Sequence, residues 1–310
     1  MVDRDLPRPG RAPVRPRLQP ARRCHRRPHG KDPPMSAPSS ERVLEVRNLA
    51  VRIDSPDGTV HPVKGVDLDL YKGEIVGIVG ESGCGKSTTV KGILKLLGPN
   101  STVTADKIEF AGNIDIARAS AKQMRHIRGE KIGFVAQNPF GSLNPIYSIE
   151  RQFYEVQRAH STGVRKARSR EIALAMLRSV GIVAPERVLD GYAHQLSGGM
   201  AQRVVIALAT TLSPAILMAD EPTTGLDATV QAQILDLISG LVRDEGRSML
   251  LVTHDLGVIA QYCQRVIVMY AGEVVETGPV MDVMVDPRHE YTRSLIRSVP
   301  KPGEKLNVAR

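Results

Sequence analysis

The chain has 310 residues, enough to bury a sizeable core in one large domain or two small ones. Its 42% hydrophobic and 24% charged residues are ordinary for a globular protein, while the net charge of +9 suggests nucleic acid or a membrane surface as a partner. Residues 1–34 carry +7 of that charge, however, so the rest of the chain has a net charge of only +2. The overall charge is therefore not evidence for either partner, and no specific nucleic acid is expected.

The N-terminal segment is rich in Arg and Pro and nearly lacks large apolar side chains. Such a segment buries too little surface to offset its ordering entropy, so we predict a disordered tail over residues 1–40. A basic arm that touches nucleic acid or anionic lipid is the alternative, and a solvated tail is the interpretation that composition favours.

The first predicted elements are two antiparallel strands, residues 43–53 and 60–70, joined by a turn at residues 55–58. A short β-branched run at 74–79 predicts a buried parallel strand. The spacing of apolar residues predicts that a helix follows this strand, and Gly98-Pro99 is its predicted stop. That face comprises Val90, Ile93, Leu94 and Leu97.

The second half alternates between helices and buried strands. Strands are predicted at 131–136, 215–219 and 249–253, and residues 265–270 and 273–277 predict a hairpin. Residues 138–195 are Pro-rich and then helical, which indicates an inserted helical subdomain. The stretch 204–219 is apolar but falls short of the ~20 residues of a membrane span, and Ser213-Pro214 interrupts it. If the protein acts at a membrane, we expect another chain to cross it.

Cysteine contributes little to the predicted chemistry. Cys24, Cys84 and Cys263 are far apart and share no metal-ligand spacing, so neither a disulfide framework nor a cysteine metal site is expected. Cys84 lies in a glycine-rich loop before a helix, where a lowered thiol pKa would permit a redox switch. A small loop side chain that points aside is the favoured interpretation.

The strongest motif is GESGCGKS at residues 80–87, which matches the phosphate-binding loop pattern between a strand and a helix. Glycines let backbone N–H groups turn toward phosphate, and the start of the helix adds partial positive charge. Lys86 is predicted to reach the β- and γ-phosphates, and Ser87 to ligate Mg²⁺. The predicted ATP-binding residues here are Gly80, Glu81, Ser82, Gly83, Cys84, Gly85, Lys86, Ser87 and Thr88.

A second motif places two carboxylates directly after the apolar run 216–219. A buried strand would bring Asp220 and Glu221 to the same sheet edge as the phosphate loop. Asp220 is then predicted to bind ATP-associated Mg²⁺, and Glu221 to polarise the attacking water.

The third motif, LSGGMAQ at residues 196–202, precedes an apolar helix predicted over 204–212. It resembles the signature sequence of the ATP-binding cassette (ABC) family, and Ser197, Gly198 and Gly199 form its anion-binding part. The order phosphate loop, signature and Asp-Glu pair is that of the family. The resemblance covers about residues 43–300 and implies a P-loop NTPase fold of ABC type: an α/β mixed sheet core with an antiparallel β subdomain and the inserted helical subdomain.

The resemblance assigns roles to further residues. Gln137 matches the Q-loop glutamine, a catalytic residue and Mg²⁺ ligand; Asp227 matches the D-loop aspartate at the nucleotide; and His254 matches the catalytic switch histidine. The family also places an aromatic residue near the first strands to stack on adenine. Residues 51–62 contain none, which leaves Ile53 or His61 as substitutes.

The resemblance also implies partners and a location. ATP bound by Lys86 and Ser87 of one subunit is covered by Ser197 and Gly199 of a second ATPase subunit, and hydrolysis opens the dimer. Two permease subunits and an extracytoplasmic solute-binding protein complete an importer, with this chain at the cytoplasmic face of the cell (inner) membrane. The expected ATPase domain spans residues 41–286.

Two segments resemble the oligopeptide, dipeptide and nickel importer branch: residues 138–145 (NPFGSLNP) and a C-terminal extension over 287–310. The extension has no Cys, so no iron–sulfur site is expected in it, and His289 has no partner at ligand spacing. Opine and glutathione importers stay open as relatives. The main alternative function is an ABC ATPase that acts on ribosomes or DNA, which the single cassette and the lack of sustained heptads disfavour.

Overall fold

The computed structural model describes residues 41–298. The predicted disordered tail, residues 1–40, and residues 299–310 of the predicted C-terminal extension lie outside the described residues.

The described residues form eleven strands in two sheets. The strands are β1 (Arg42–Ser55), β2 (Gly58–Tyr71), β3 (Ile75–Val79), β4 (Ser101–Thr104), β5 (Lys107–Phe110), β6 (Ile114–Asp115), β7 (Ile132–Val135), β8 (Ile216–Asp220), β9 (Ser248–Val252), β10 (Arg265–Tyr270) and β11 (Glu273–Pro279). An antiparallel sheet has the order β2-β1-β5-β6, with β4 also paired to β1, and the central sheet has the order β11-β10-β3-β9-β8-β7. Only the β10–β11 pair of the central sheet is antiparallel.

The described residues also form eleven helices. They are α1 (Lys86–Ile93), α2 (Ala121–Glu130), α3 (Pro139–Ser142), α4 (Ile149–His160), α5 (Lys166–Ser179), α6 (Pro185–Asp190), α7 (Gly198–Thr210), α8 (Ala228–Asp244), α9 (Leu256–Tyr262), α10 (Val280–Val285) and α11 (Glu290–Arg297), with a 3₁₀ turn at Ala193–Gln195. None of these helices is long and apolar enough to cross a membrane.

The central sheet separates two apolar clusters. In β3, Ile75 and Val79 pack into the cluster shared with α5, α7 and α8, whereas Val76 and Ile78 face the antiparallel sheet. Strands β8 and β9 alternate in the same way. Both faces of these parallel strands are therefore buried, which explains why their sequences are continuous apolar runs.

The predicted end of the first helix is wrong. Helix α1 ends at Ile93 rather than at Gly98, because Lys95 takes a left-handed φ of 50°. The N–H of Leu96 then bonds the Lys91 carbonyl and that of Lys95 bonds the Gly92 carbonyl, which is the Schellman pattern with lysine in the usual glycine position. Leu97 lies beyond the helix, only partly buried against the core.

The apolar helix after the signature motif is also longer than predicted. It begins at Gly198 instead of residue 204 and ends at Thr210, because the Ser197 hydroxyl caps it by accepting a hydrogen bond from the Met200 N–H. The signature glycines therefore form the first turn of α7, where backbone N–H groups are free of intrahelical partners.

Candidate functional site

The phosphate loop connects the end of β3 to the start of α1. Gly85 is the N-cap of α1 with φ 105°, and a Cβ atom there would lie 2.1 Å from the Pro62 carbonyl oxygen. Only glycine fits this backbone path, since any side chain would strain the conformation and collide with β2. The loop is thus held tightly against the antiparallel sheet.

The Lys86 ammonium is buried and points back into the loop. Its Nζ donates hydrogen bonds to the carbonyl oxygens of Gly80 at 2.7 Å and Glu81 at 2.8 Å. A fixed positive charge beside a helix N-terminus makes an anion site, with geometry suited to phosphate.

Cys84 is a buried member of the same loop. Burial raises the pKa of its thiol, an effect that outweighs the nearby Lys86 charge. The thiol is therefore not activated as a thiolate, and the structure agrees with the interpretation of Cys84 as a small loop side chain.

Ser87 and Asp220 meet although they are 133 residues apart. The Ser87 hydroxyl donates to Asp220 Oδ1 at 2.6 Å, and Asp220 is only 1% exposed. Asp220 Oδ2 is buried and accepts no hydrogen bond from any described residue, while Lys91 Nζ lies 3.6 Å away. A buried carboxylate oxygen with spare coordination, beside a hydroxyl and a phosphate site, has the donor chemistry that suits Mg²⁺.

Glu221 is the centre of a polar cluster at the end of β8. Its Oε2 accepts hydrogen bonds from Gln137 Nε2 at 3.1 Å and from the Thr224 hydroxyl at 2.9 Å, and His254 Nδ1 lies 3.3 Å from it. All three residues predicted to be catalytic therefore lie together. Glu221 has a left-handed φ of 45°, a strained conformation of the kind concentrated at functional sites.

The signature residues and Asp227 lie beside each other, at the starts of α7 and α8. Asp227 caps α8 by accepting from the Val230 N–H at 3.0 Å, and a Cβ atom on Gly199 would lie 2.9 Å from the Val230 side chain. No hydrogen bond or ion pair among residues 41–298 joins these two helix starts to the phosphate loop. Within the described residues, no polar contact therefore joins the two predicted halves of the ATP site.

The two candidates for the adenine contact differ in environment. Ile53 is half-buried against the core on the antiparallel sheet, and His61 is exposed on β2. Neither observation selects between them, so the adenine contact stays a prediction.

Motif reasoning missed Lys91, Thr224 and Tyr291. The Tyr291 hydroxyl, on α11, accepts a hydrogen bond from the Glu81 N–H at 2.9 Å, and its ring lies 4.4 Å from that of Tyr270. Burial raises the pKa of the Tyr291 phenol, so it stays neutral beside the loop. Its only sequence signal was membership of the C-terminal segment, which says nothing about contact with residue 81.

Substituting Tyr291 by Phe should weaken ATP binding by about two- to tenfold, because one neutral hydrogen bond contributes about 0.5–1.5 kcal/mol and here it orders a phosphate-loop amide. Titration with a fluorescent ATP analogue measures the affinity. Tyr154→Phe, on α4, is the matched control. Equal affinity in the two variants, together with unchanged hydrogen exchange at the Glu81 amide, would contradict a role for this contact.

The fold and the site define a P-loop NTPase: a strand–loop–helix phosphate site, a buried aspartate beside its serine, and a glutamate positioned by a glutamine and a histidine. Comparisons with known proteins narrow the class. Residues 63–224 match the ABC transporter family profile. The chain belongs to the ABC transporter family, and it is an ATP-binding, ATP-hydrolysing subunit of that family. The predicted family and fold class are thereby confirmed.

The relatives cover most of the chain. It is 48% identical over 261 residues to the dipeptide transport ATP-binding protein DppD of Bacillus subtilis (strain 168), covering 84% of this chain and 78% of the relative. It is 45% identical over 260 residues to the oligopeptide transport ATP-binding protein OppD of the same strain, covering 84% and 72%.

Among solved structures, the dimeric ABC transporter cassette MJ0796 is similar to this chain with a TM-score of 0.67 and 29% identity, covering 76% of this chain and 98% of that one. A second structure of that cassette, a dimeric post-hydrolysis state bound to ADP and Pi, matches with the same score, identity and coverage.

Proposed function

We propose that this chain is the ATPase subunit of an importer for dipeptides or oligopeptides. The observation that carries the proposal is its similarity, over most of both chains, to ATP-binding proteins named for dipeptide and oligopeptide transport. Nickel, opine or glutathione are further candidate solutes, because an ATPase of this family does not contact the solute.

The proposed assembly contains a second ABC ATPase subunit, two permease subunits that cross the membrane and an extracytoplasmic solute-binding protein. The chain would lie at the cytoplasmic face of the cell (inner) membrane as a peripheral subunit. The lack of a hydrogen bond or ion pair between the start of α7 and the phosphate loop, within residues 41–298, supports a composite site, in which Ser197, Gly199 and Asp227 of one subunit complete the ATP site of the other. The dimeric cassette structures are similar in fold to this chain.

The predicted ligands would hold ATP with Mg²⁺. The phosphate-loop amides and the Lys86 ammonium bind the β- and γ-phosphates, and Ser87, Asp220 and Gln137 are the proposed Mg²⁺ ligands. The buried Oδ2 of Asp220, which accepts no hydrogen bond from the described residues and lies 3.6 Å from Lys91 Nζ, supports this assignment. When bound, Mg²⁺ neutralises charge on the phosphate oxygens.

Hydrolysis then depends on the cluster around Glu221. Its carboxylate orients and polarises the attacking water, while Gln137 and Thr224 fix the carboxylate by hydrogen bonds. His254, whose Nδ1 lies beside the same oxygen, is placed by this proposal near the γ-phosphate. Loss of the γ-phosphate removes the contacts between the two subunits, and the dimer opens.

Purification of the full chain from detergent-solubilised membranes tests the assignment. We expect two multi-span permeases and a second ATPase chain to co-purify, and cells carrying the complex to take up a radiolabelled dipeptide or oligopeptide. Recovery with ribosomes or DNA and without a permease would overturn the proposal and favour the alternative ATPase function.

A further inference from the structure

Three potential metal ligands meet away from the residues assigned to ATP. His126 and Glu130 lie on α2, and His160 is the last residue of α4. The Nδ1 atoms of His126 and His160 lie 3.3 Å and 3.1 Å from the same carboxylate oxygen, Glu130 Oε1. One ligand atom from each of the three residues lies within 4.8 Å of the other two.

A break in α2 builds this cluster. Arg128 has an extended backbone and Gly129 a φ of 93°, so Glu130 does not continue the regular helix of His126. A Cβ atom on Gly129 would lie 3.1 Å from His160 Nε2, so glycine supplies the left-handed turn and lets the imidazole approach. The Arg128 guanidinium fixes the break by donating to the carbonyls of Leu94 and Lys95.

Two of the three separations between ligand atoms match those around a tetrahedral metal ion. Two atoms each about 2.0–2.1 Å from a tetrahedral Zn²⁺ lie about 3.3–3.4 Å apart, close to both of the observed N–O separations. Two imidazole nitrogens and one carboxylate suit Zn²⁺ and neighbouring transition ions, whereas Mg²⁺ prefers six oxygens and retains water.

The exposure of the cluster also suits a bound ion. His160 is only 9% exposed at its side chain, whereas His126 is 54% exposed and leaves the site open to solvent on one side.

We propose that His126, Glu130 and His160 form a binding site for a divalent transition-metal ion of the Zn²⁺ type, with water as the fourth ligand. The ion would join the end of α2 to the end of α4 across 30 residues of sequence. Because α2 leads directly into β7, which ends two residues before Gln137, the ion would fix the helical segment to the strand that carries this predicted catalytic residue.

Metal titration of the full, chelator-treated chain tests the site. The protein carries a tag without histidine, and Zn²⁺ is titrated by competition with a chromophoric chelator in excess Mg²⁺ and without nucleotide. His126→Gln removes an exposed ligand with little disturbance of the core, and His61→Gln, an exposed histidine on β2, is the matched control. Cys24, His25 and His29 are present in every variant, so their contribution cancels in the comparison.

We expect one Zn²⁺ site whose affinity falls at least about tenfold in His126→Gln and is unchanged in His61→Gln. Loss of an outer-shell partner already lowers metal affinity by about tenfold or more, so loss of a ligand should do at least as much. Co²⁺ should give the intense visible bands of a four-coordinate ion in the wild type and the control, and lose them in His126→Gln. Zn²⁺ should also raise the Tm of the wild type and of the His61→Gln control, and raise it less in His126→Gln, since the ion binds the folded state. Equal affinity in the two variants, or six-coordinate Co²⁺ in the wild type, would overturn the proposal.

Discussion

Replacing Glu221 by Gln is expected to lower ATP turnover by about 10²–10⁴-fold, the range that a positioned general base contributes. The amide keeps the shape of the side chain, and its oxygen can still accept from Gln137 and Thr224, so the cluster geometry survives while the negative charge is lost. ATP should therefore still bind and hold two subunits in the closed dimer. Phosphate release and gel filtration with ATP measure the two effects.

Glu171→Gln makes the same chemical change on the exposed face of α5, where the paired Arg168 contributes little to stability. It should leave turnover and dimer formation unchanged. Near-normal turnover in Glu221→Gln would rule out Glu221 as the essential base, and a loss of ATP binding in that variant would show that its charge serves binding rather than hydrolysis.

Replacing Lys86 by Ala should weaken ATP binding by about 10- to 100-fold and abolish measurable turnover at low ATP. Hydrogen bonds to a charged group contribute about 1.5–3 kcal/mol, and tenfold in affinity corresponds to about 1.4 kcal/mol. The change removes the positive charge that faces the phosphates, and it leaves the Gly80 and Glu81 carbonyls without the Nζ donor. Equilibrium binding of a fluorescent ATP analogue gives the affinity.

Lys72→Ala is the matched control, because that side chain is exposed and its ion pair with Glu41 lies at the surface. Circular dichroism and Tm show whether Lys86→Ala is folded, so that lost binding is not confused with lost structure. A folded Lys86→Ala variant with wild-type ATP affinity would contradict the assignment of this lysine to the phosphates. Together the two variants separate binding from hydrolysis, since only Glu221→Gln should retain ATP.

The phosphate loop and the buried strands were predictable because their sequence signals are local, although the packing that requires them is not. Glycine at residue 85 is required by a backbone path that no other residue fits, and β3, β8 and β9 are apolar runs because both faces of each strand are buried. The resemblance to the ABC family came from motif order, and the family comparison confirmed it. The roles of individual site residues stay predictions until the variants are measured.

The end of α1 was not predictable from spacing alone. A lysine at the left-handed position is uncommon, and tertiary contacts favour it here: Lys95 Nζ bonds the carbonyls of Ala117 and Ala119, and Arg128 bonds the carbonyl of Leu94. These partners lie more than twenty residues away in the chain. The helix therefore ends at contacts that the local sequence does not contain, before it reaches the local stop at Gly98.

By itself, the sequence determined which residues are the candidates for the ATP chemistry, because that chemistry depends on residue type and on short-range spacing around helix starts and strand ends. Only the tertiary structure decided how they meet. The strand order β3-β9-β8 brings Ser87 to Asp220, the turn after β8 points Glu221 at Gln137 and His254, and α11 returns Tyr291 to the loop. The break at Gly129 likewise gathers His126, Glu130 and His160. Such contacts depend on packing between distant segments, which no local pattern encodes.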